Sequence, residues 1–232
     1  MKKVFLIICI HAILGTVAYA QDCYTGFCPS SITVHHKAGL ISPTTGDITY
    51  NVISTTAFGA ASGGYCLLDR NLGVTTLPTS VCDYTNGTGW FFQFGRSKGW
   101  ASLATITAGL TTYTTAYATP SVSWSAANDP CALLIGPSWR IPTQAEGVGF
   151  TTGAPTPTTL YTSWKMSTTS YINQLGTAIT SSIVSQYWLS TYNSATMGYV
   201  AYAATATGTY SITSGQYYNC GLPVRCIKNF AN

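Results

Sequence analysis

Charged residues are scarce in this sequence. Only 7% of its 232 residues are Asp, Glu, Lys or Arg, against about 25% in an average soluble protein. The formal net charge of +4 is too small to drive binding to phosphate backbones or anionic lipid. Hydroxyl residues take the place of charges, with 37 Thr and 22 Ser. This composition excludes a typical nucleic-acid-binding protein, and the 46% of hydrophobic residues argues against disorder.

Long hydrophobic runs are missing after residue 20. Before it, Lys2 and Lys3 precede an apolar segment at residues 4–17 that is too short to span a bilayer. Small residues at positions 18 and 20 complete the pattern that a signal peptidase recognises. We therefore predict a signal peptide at residues 1–20 and a mature chain from Gln21. The mature protein is expected to be secreted, extracellular or at the cell surface, without membrane insertion.

Residues suited to acid–base chemistry are also few. The mature chain has two histidines, His35 and His36, and six acidic residues with no two close together. A glycosidase needs two carboxylates across the scissile bond, and a hydrolase triad needs a positioned base. We predict structural roles for the acids and solvated turn positions for the histidines. The expectation is a protein that is not an enzyme and that uses no metal or cofactor.

Cysteine is present in an odd number after the signal peptide. The seven are Cys23, Cys28, Cys66, Cys82, Cys131, Cys220 and Cys226. In an oxidising compartment most should be paired, and one must remain free, buried or linked to another chain. Each choice of the odd cysteine leaves 15 pairings, so the count does not decide the pattern.

Local patterns predict many short strands and little helix. Residues 47–53 alternate apolar and polar side chains, which is typical of a half-buried strand. Asn86 and Gly87 lie between residues 81–84 and 90–94 and favour a tight hairpin. Further strands are expected at residues 187–192, 197–204 and 224–227, with turns at 193–194 and 207–208.

Helix signals are limited to one clear case. Thr143 and Glu146 follow Pro142 in a capping-box pattern, which predicts a short helix from this point. The segments 101–127 and 151–186 are rich in Thr, Ser, Ala and Gly and are predicted to be mainly long loops. The second segment is expected to hold a short helix at about residues 171–183.

Four segments resemble a known family when taken in order. Residues 47–52 are followed by L-D-R-N-L at 68–72, and W-F-F-Q-F-G-R-S-K occupies 90–98. N-D-P-C at 128–131 leads to W-R-I-P-T at 139–143, and Y-W-L-S-T at 187–191 is followed by G-L-P-V-R-C at 221–226. Together they resemble the Fibrobacter succinogenes major paralogous domain of secreted and surface proteins in Bacteroidetes and Fibrobacteres. The resemblance assigns residues 47–232 to this domain and leaves 21–46 as an N-terminal segment.

This resemblance implies a fold and a set of disulfides. The fold would be a compact α+β domain similar to C-type lectins and formylglycine-generating enzymes, with short antiparallel strands, few short helices and long Thr/Ser/Ala-rich loops. A Cys131–Cys226 bridge is implied, although Cys220 competes with Cys226 as the partner. The next expected pairs are Cys66–Cys82 and Cys23–Cys28. N-D-P at 128–130 is expected to form a turn before the disulfide rather than a calcium site.

Aromatic residues are the main candidates for ligand contact. The chain has 16 Tyr and 6 Trp, and sugar faces stack on such rings. Trp90, Trp139 and Trp188 fall in the family motifs and are predicted to be core. The predicted contact surface lies in or beside the loops and turns and comprises Trp100, Trp124, Trp164, Tyr192, Asn193 and Tyr199.

The functional hypothesis is a secreted, non-catalytic, adhesin-like module that binds glycan or protein at a bacterial surface. The arginines at motif positions, Arg96, Arg140 and Arg225, are expected to form salt bridges with Asp69, Asp129 or Glu146. The alternative is a structural subunit that self-associates in an extracellular filament or surface layer. Low charge weakens repulsion between copies, and an unpaired cysteine can link them.

Overall fold

The computed structural model describes residues 28–39, 41–56, 64–101, 123–153, 156–194 and 196–230. The predicted signal peptide, Cys23 and most of the loop predicted at 101–127 lie outside these ranges. Within them the chain is mixed α+β, with mostly antiparallel strands and few short helices, as the sequence predicts.

Twelve strands and four helices make up the described part of the chain. The strands are β1 (Ser31–His36), β2 (Gly46–Thr55), β3 (Tyr65–Leu68), β4 (Phe91–Phe92), β5 (Gly99–Trp100), β6 (Trp139–Arg140), β7 (Tyr171–Ile172), β8 (Ala178–Ile179), β9 (Val184–Tyr192), β10 (Met197–Ala204), β11 (Thr209–Tyr217) and β12 (Ile227–Asn229). The helices are α1 (Tyr84–Gly87), α2 (Pro130–Ile135), α3 (Gln144–Gly153) and α4 (Pro157–Trp164).

A five-stranded antiparallel sheet has the order β1-β2-β3-β12-β6. The alternation at residues 47–53 is confirmed as part of β2, where Ile48 and Tyr50 are buried. Strand β1 lies in the N-terminal segment and pairs with β2 from Ser31 opposite Asn51 to its last residue. The described part of that segment therefore belongs to this sheet.

A three-stranded sheet, in the order β11-β10-β9, separates two hydrophobic clusters. Trp188 and Val200 belong to the first cluster, whereas Tyr187, Leu189 and Ala201 belong to the second, as alternation along a strand requires. The second cluster is covered by side chains from α3 and α4. The strands expected at 187–192 and 197–204 are confirmed. The expected positions of both turns are also confirmed, because they separate consecutive strands.

The hairpin predicted at Asn86 and Gly87 is wrong. These residues end helix α1, and the Asp83 carboxylate caps the helix by accepting a hydrogen bond from the Asn86 N–H. A Cβ on Gly87 would lie 2.0 Å from the Ser167 Oγ. Close packing against a distant segment, rather than a positive φ angle, therefore explains the glycine.

The segment 151–186 is more ordered than predicted. It contains α4, whose N-cap Thr156 accepts a hydrogen bond from the Thr159 N–H. The helix expected at 171–183 is wrong, because β7 and β8 form a small hairpin there. The Asn173 side chain accepts hydrogen bonds from two N–H groups within the hairpin turn. The strand expected at 224–227 begins only at its last residue, with β12.

Two disulfides are present among the described residues. The implied Cys131–Cys226 bridge is confirmed, but Cys66 is paired with Cys28. The expected Cys66–Cys82 and Cys23–Cys28 pairs are therefore wrong. The Cα atoms of Cys28 and Cys66 lie 5.4 Å apart, which places the chain just before β1 beside β3.

The two remaining described cysteines are free. Cys82 is exposed and Cys220 is buried. No helix in the described ranges is long and apolar enough to cross a membrane.

Candidate functional site

The three tryptophans predicted to lie in exposed loops are buried. Trp100, Trp124 and Trp164 are 4%, 7% and 3% exposed, so the expectation of an exposed surface is wrong for all three. Each ring fills a different hydrophobic cluster. For example, Trp124 lies 4.6 Å from Phe94 and Trp164 lies 5.2 Å from Phe150, measured between ring centres. The motif residues Trp90, Trp139 and Trp188 are also buried, which confirms their predicted place in the core.

The other three predicted contact residues are half-buried near the turn between β9 and β10. Tyr192 stacks on Tyr218 at the edge of the first cluster, with ring centres 6.1 Å apart. Tyr199 packs against the second cluster instead. The structure therefore places Trp124 and Tyr192, followed by Asn193, beside one cluster and separates them from Tyr199.

A cavity of about 120 Å³ opens beside the Trp124 ring. Its polar and apolar walls come from residues between 124 and 141 and from Ser190. The main-chain N–H of Trp124 donates to the Ser190 carbonyl oxygen at 3.1 Å. This hydrogen bond holds the segment after residue 122 against the end of β9. The lining includes Trp124, Asp129, Ala132, Trp139, Arg140 and Ser190.

Asp129 supports this cavity through the backbone around it. One carboxylate oxygen accepts from the Cys131 N–H and the other from the Ile141 N–H, both at 2.8 Å. Burial raises the pKa of Asp129 to about 6, although these N–H groups favour the carboxylate. The turn predicted at 128–130 is thus the N-terminal cap of α2. No group of three or more His, Cys, Asp or Glu side chains in the described ranges is placed to hold a metal ion.

Arg140 brings a charge to the cavity wall that is already compensated. Its two terminal nitrogens donate to the two Glu146 carboxylate oxygens at 2.6 and 2.7 Å. Burial opposes ionisation of Glu146, but hydrogen bonds from Arg140 and Thr143 lower its pKa overall. Thr143 and Glu146 also exchange the two hydrogen bonds of the predicted capping box. The predicted Arg140–Glu146 salt bridge is confirmed, so this arginine brings no net charge to the wall.

The salt bridge predicted for Arg225 is replaced by hydrogen bonds to neutral groups. Its guanidinium is buried and donates to the Asn71 side-chain oxygen and to main-chain carbonyls, including that of Leu68. Burial lowers the pKa of Arg225 to about 10. Asp69 pairs with the adjacent Arg70 at 3.0 Å.

Two residues of the cavity wall carry a polar group without a hydrogen-bond partner among the described residues. The indole Nε1–H of Trp124 has no acceptor, but this nitrogen is buried from solvent and does not face the open space of the cavity. The Ser190 side chain lines the same cavity, and its hydroxyl makes none of the hydrogen bonds found in the described ranges. Sequence reasoning missed Ser190, although it lies in the Y-W-L-S-T motif. The Ser190 hydroxyl is therefore the unpaired group that a ligand in this cavity can reach.

The histidines lie away from this cavity. His35 is exposed and bonds the Asp47 carboxylate at 2.7 Å. His36 is buried in β1, edge-on to Trp90, so its prediction as a solvated turn residue is wrong. Burial lowers the pKa of His36 to about 4. Neither imidazole is positioned to serve as a base at the cavity.

Comparison of the chain with protein-family models, curated proteins and solved structures finds no match. The functional argument therefore rests on the cavity, the Ser190 hydroxyl and the adjoining rings of Phe94, Trp124 and Trp188. This arrangement can hold a small neutral group, with the rings of Trp124 and Trp139 as apolar walls.

Proposed function

We propose that the chain is a secreted, non-catalytic, adhesin-like binding module that contacts a glycan or a protein at a cell surface. The observation that carries this proposal is the unpartnered Ser190 hydroxyl in a cavity walled by Trp124 and Trp139, beside the half-buried Tyr192 ring. The ligand enters the cavity and extends toward Tyr192. The two disulfides and the signal peptide predicted at residues 1–20 support secretion.

We also propose membership of the Fibrobacter succinogenes major paralogous domain family, with a C-type-lectin-like fold. The Cys131–Cys226 bridge that the resemblance implies supports this assignment. Further support comes from the position of the motifs, because N-D-P-C, W-R-I-P-T and Y-W-L-S-T each contribute to the cavity wall.

The use of the carboxylates supports binding rather than catalysis. A general acid or base must exchange a proton with the substrate. Asp129 instead accepts two main-chain N–H groups, Glu146 holds Arg140, and Asp69 holds Arg70. Each of these groups stabilises the framework that shapes the cavity.

The test uses the mature chain, from Gln21, on a glycan array and against surface proteins of host cells. Tyr192→Ala should weaken the binding detected, because it removes a half-buried ring beside the cavity. Tyr199→Ala is the matched control, since that ring packs against the other cluster. Absence of any ligand would refute the binding function, and equal losses in both variants would refute the assignment of the surface.

The alternative, a self-associating structural subunit, is favoured by one feature. Strand β11 is an edge strand of nine residues without charge or proline, and such edges pair readily with another strand. Tyr217, at its end, is 41% exposed. A mature chain that forms polymers in light scattering, and becomes monomeric as Ser211→Lys, would support this function. A monomer at high concentration would exclude it.

A further inference from the structure

The two edges of the three-stranded sheet use their main-chain groups differently. At the β9 edge, three N–H groups that point away from β10 donate to acceptors elsewhere in the chain. The donors are Gln186, Trp188 and Ser190, and the acceptors are the Thr169 hydroxyl and the carbonyl oxygens of Pro223 and Pro142, at 2.9, 3.2 and 2.7 Å. Another strand therefore cannot add at this edge.

The bonds at β9 determine which groups of β11 point outward. Gln186, Tyr202 and Ser211 lie opposite one another in one row across the sheet. Because the main-chain groups of successive residues in an antiparallel strand point to opposite sides, the outward N–H of Gln186 directs Tyr202 and Ser211 toward each other. The neighbours of Ser211, Tyr210 and Ile212, therefore turn their N–H and C=O groups away from β10. In the described ranges these groups have no hydrogen bond outside the sheet ladder.

Strand β11 also lacks the features that keep an edge strand from pairing. It has no charge and no proline, whereas charges and prolines are common at protected edges. On β1, an edge of the larger sheet, His35 bonds the Asp47 carboxylate. A register shift interrupts the pairing of β11 with β10 beyond Thr213, so its regular part is residues 209–213. Unlike β9, this segment can accept a further strand.

We propose that residues 209–213 pair with the same residues of a second copy, antiparallel and about a two-fold axis at Ser211. Tyr210 then lies opposite Ile212 of the second copy, and the two residues exchange both N–H···O=C bonds. The reverse pair does the same, so all four outward groups of this segment gain partners. An aromatic residue opposite a β-branched one is a favourable pair, and no charges meet. The occupant is a second copy because the segment is complementary to itself.

The blocked β9 edge closes the assembly. Each copy has one open edge in this sheet, so pairing gives a six-stranded sheet and ends at a dimer rather than a filament. Helix α3 leaves room for the second copy. A Cβ on Gly147 would lie 2.8 Å from Leu189 of β9 and 2.9 Å from Ile212 of β11, which places the helix over β10. The two β10 strands are three strand spacings apart, about 14 Å, whereas packed helices need only about 8–10 Å.

The dimer presents two binding surfaces, a consequence that rests on the binding function proposed above. Ser190 and Tyr192 lie on β9, the strand farthest from the two-fold axis, so pairing leaves both surfaces open. The two β9 strands are five strand spacings apart, about 24 Å. Two linked sites bind a surface with repeated ligands more tightly than one site does.

Sedimentation velocity of the mature chain measures the assembly. All proteins carry Cys82→Ser, which removes the exposed thiol, and the chain should shift from monomer to dimer as its concentration rises. Ser211→Lys brings two like charges directly opposite each other and should raise the dissociation constant of the dimer about fivefold or more. Thr33→Lys, at an exposed position in the middle of β1, is the matched control and should change it little.

A cross-link tests the register. In this pairing the Cα atoms of residue 211 in the two copies are about 4.5 Å apart, within the range of about 4.4–6.8 Å for disulfides. Ser211→Cys should therefore form a disulfide-linked dimer on mild oxidation, seen on non-reducing electrophoresis. Thr209→Cys is the control, because the two copies of residue 209 are separated by about 13 Å along the strands and should not bridge. Circular dichroism establishes that each variant is folded.

The outcomes separate this inference from the proposed function. A chain that stays monomeric at every concentration, and whose Ser211→Cys variant does not cross-link, overturns the dimer; if that chain still binds a glycan or a protein, the proposed function stands. Species larger than a dimer overturn the closure. Dissociation by Thr33→Lys but not by Ser211→Lys overturns the choice of β11, and cross-linking of Thr209→Cys overturns the register. A dimer that binds no glycan and no protein overturns the proposed function alone.

Discussion

Protonation of His36 should control part of the pH dependence of stability. Its side chain lies edge-on to Trp90, with ring centres 4.6 Å apart, and both ring nitrogens are buried without partners. The residue is 4% exposed. Burial lowers its pKa from 6.5 to about 4; the nearby Asp47 carboxylate opposes this shift and His35 adds to it. The ring of Tyr50, 6.5 Å away, is its other aromatic neighbour.

The magnitude follows from the difference between the folded and unfolded states. The unfolded chain binds a proton at His36 near pH 6.5, whereas the folded chain binds it only near pH 4. The contribution of the buried, neutral His36 to stability is therefore complete above pH 6.5 and is lost as the pH falls toward 4. Proton linkage gives a loss of about 2 kcal/mol at pH 5, rising to about 3.4 kcal/mol below pH 4.

Asp129 acts in the opposite direction over the same range. Burial raises its pKa from 3.8 to about 6, so the folded state keeps a proton that the unfolded state releases. Its contribution is present below pH 3.8 and is lost as the pH rises through 6. The two effects partly cancel, and the His36 contribution must be measured as a difference between variants.

The informative substitution is His36→Phe, which keeps a ring against Trp90 and removes both nitrogens. Urea unfolding at pH 7.5 and pH 5.0 gives the free energy of unfolding of each protein. Relative to wild type, the variant should gain about 2 kcal/mol more at pH 5.0 than at pH 7.5. His35→Gln keeps the buried His36 imidazole and removes only the smallest cause of its lowered pKa, so its gain should be much smaller. A difference between His36→Phe and wild type that is the same at both pH values would refute the assignment of this proton uptake to His36.

Three further predictions concern the bridge, the thiols and the buried arginine. Replacing Cys131 and Cys226 by Ala should lower the free energy of unfolding by about 4–5 kcal/mol, because the bridge closes a separation of 95 residues; urea denaturation measures the loss. Cys82 should react quickly with a thiol reagent, whereas Cys220, buried and with its pKa raised to about 12, should react only on unfolding; Cys82→Ser should remove one fast equivalent. Arg225→Met should destabilise the fold by about 3 kcal/mol or more, since three main-chain carbonyls lose a donor, and a thermal melt equal to wild type would contradict this role.

The features that sequence predicted correctly have causes within a few residues of chain. Thr143 and Glu146 form a capping box because each reaches the backbone N–H of the other. Residues 47–53 alternate because one side of β2 faces the core. The strands on either side of 193–194 and 207–208 were also predictable from nearby residues, because a turn between two apolar segments suffices to define a hairpin.

The failures have causes that lie far along the chain. A glycine is required at position 87 because a side chain there would collide with Ser167, some 80 residues later. The Asn86-Gly87 pair therefore suggested a hairpin turn that does not form. Cys28 pairs with Cys66 across a sequence separation of 38, a contact that the spacing of the cysteines does not indicate. Trp124 is buried because it packs on Phe94, a contact that composition cannot indicate. Local polarity therefore identified loops but misjudged which of their side chains face the core.

The cavity depends both on local sequence motifs and on contacts between residues far apart in the chain. Its walls join Trp124 and Trp139 to Ser190, which lies on β9 further along the chain, so no local pattern could predict it, although W-R-I-P-T and Y-W-L-S-T include two of these residues. The scarcity of charge explains its chemistry, because the charges beside it are already used within the framework, with Arg140 on Glu146 and Asp129 on main-chain N–H groups. Selection of a ligand must therefore depend on shape and neutral hydrogen bonds. It follows that affinity at this site should change little between low and high salt, whereas a site built on free charges would weaken steeply.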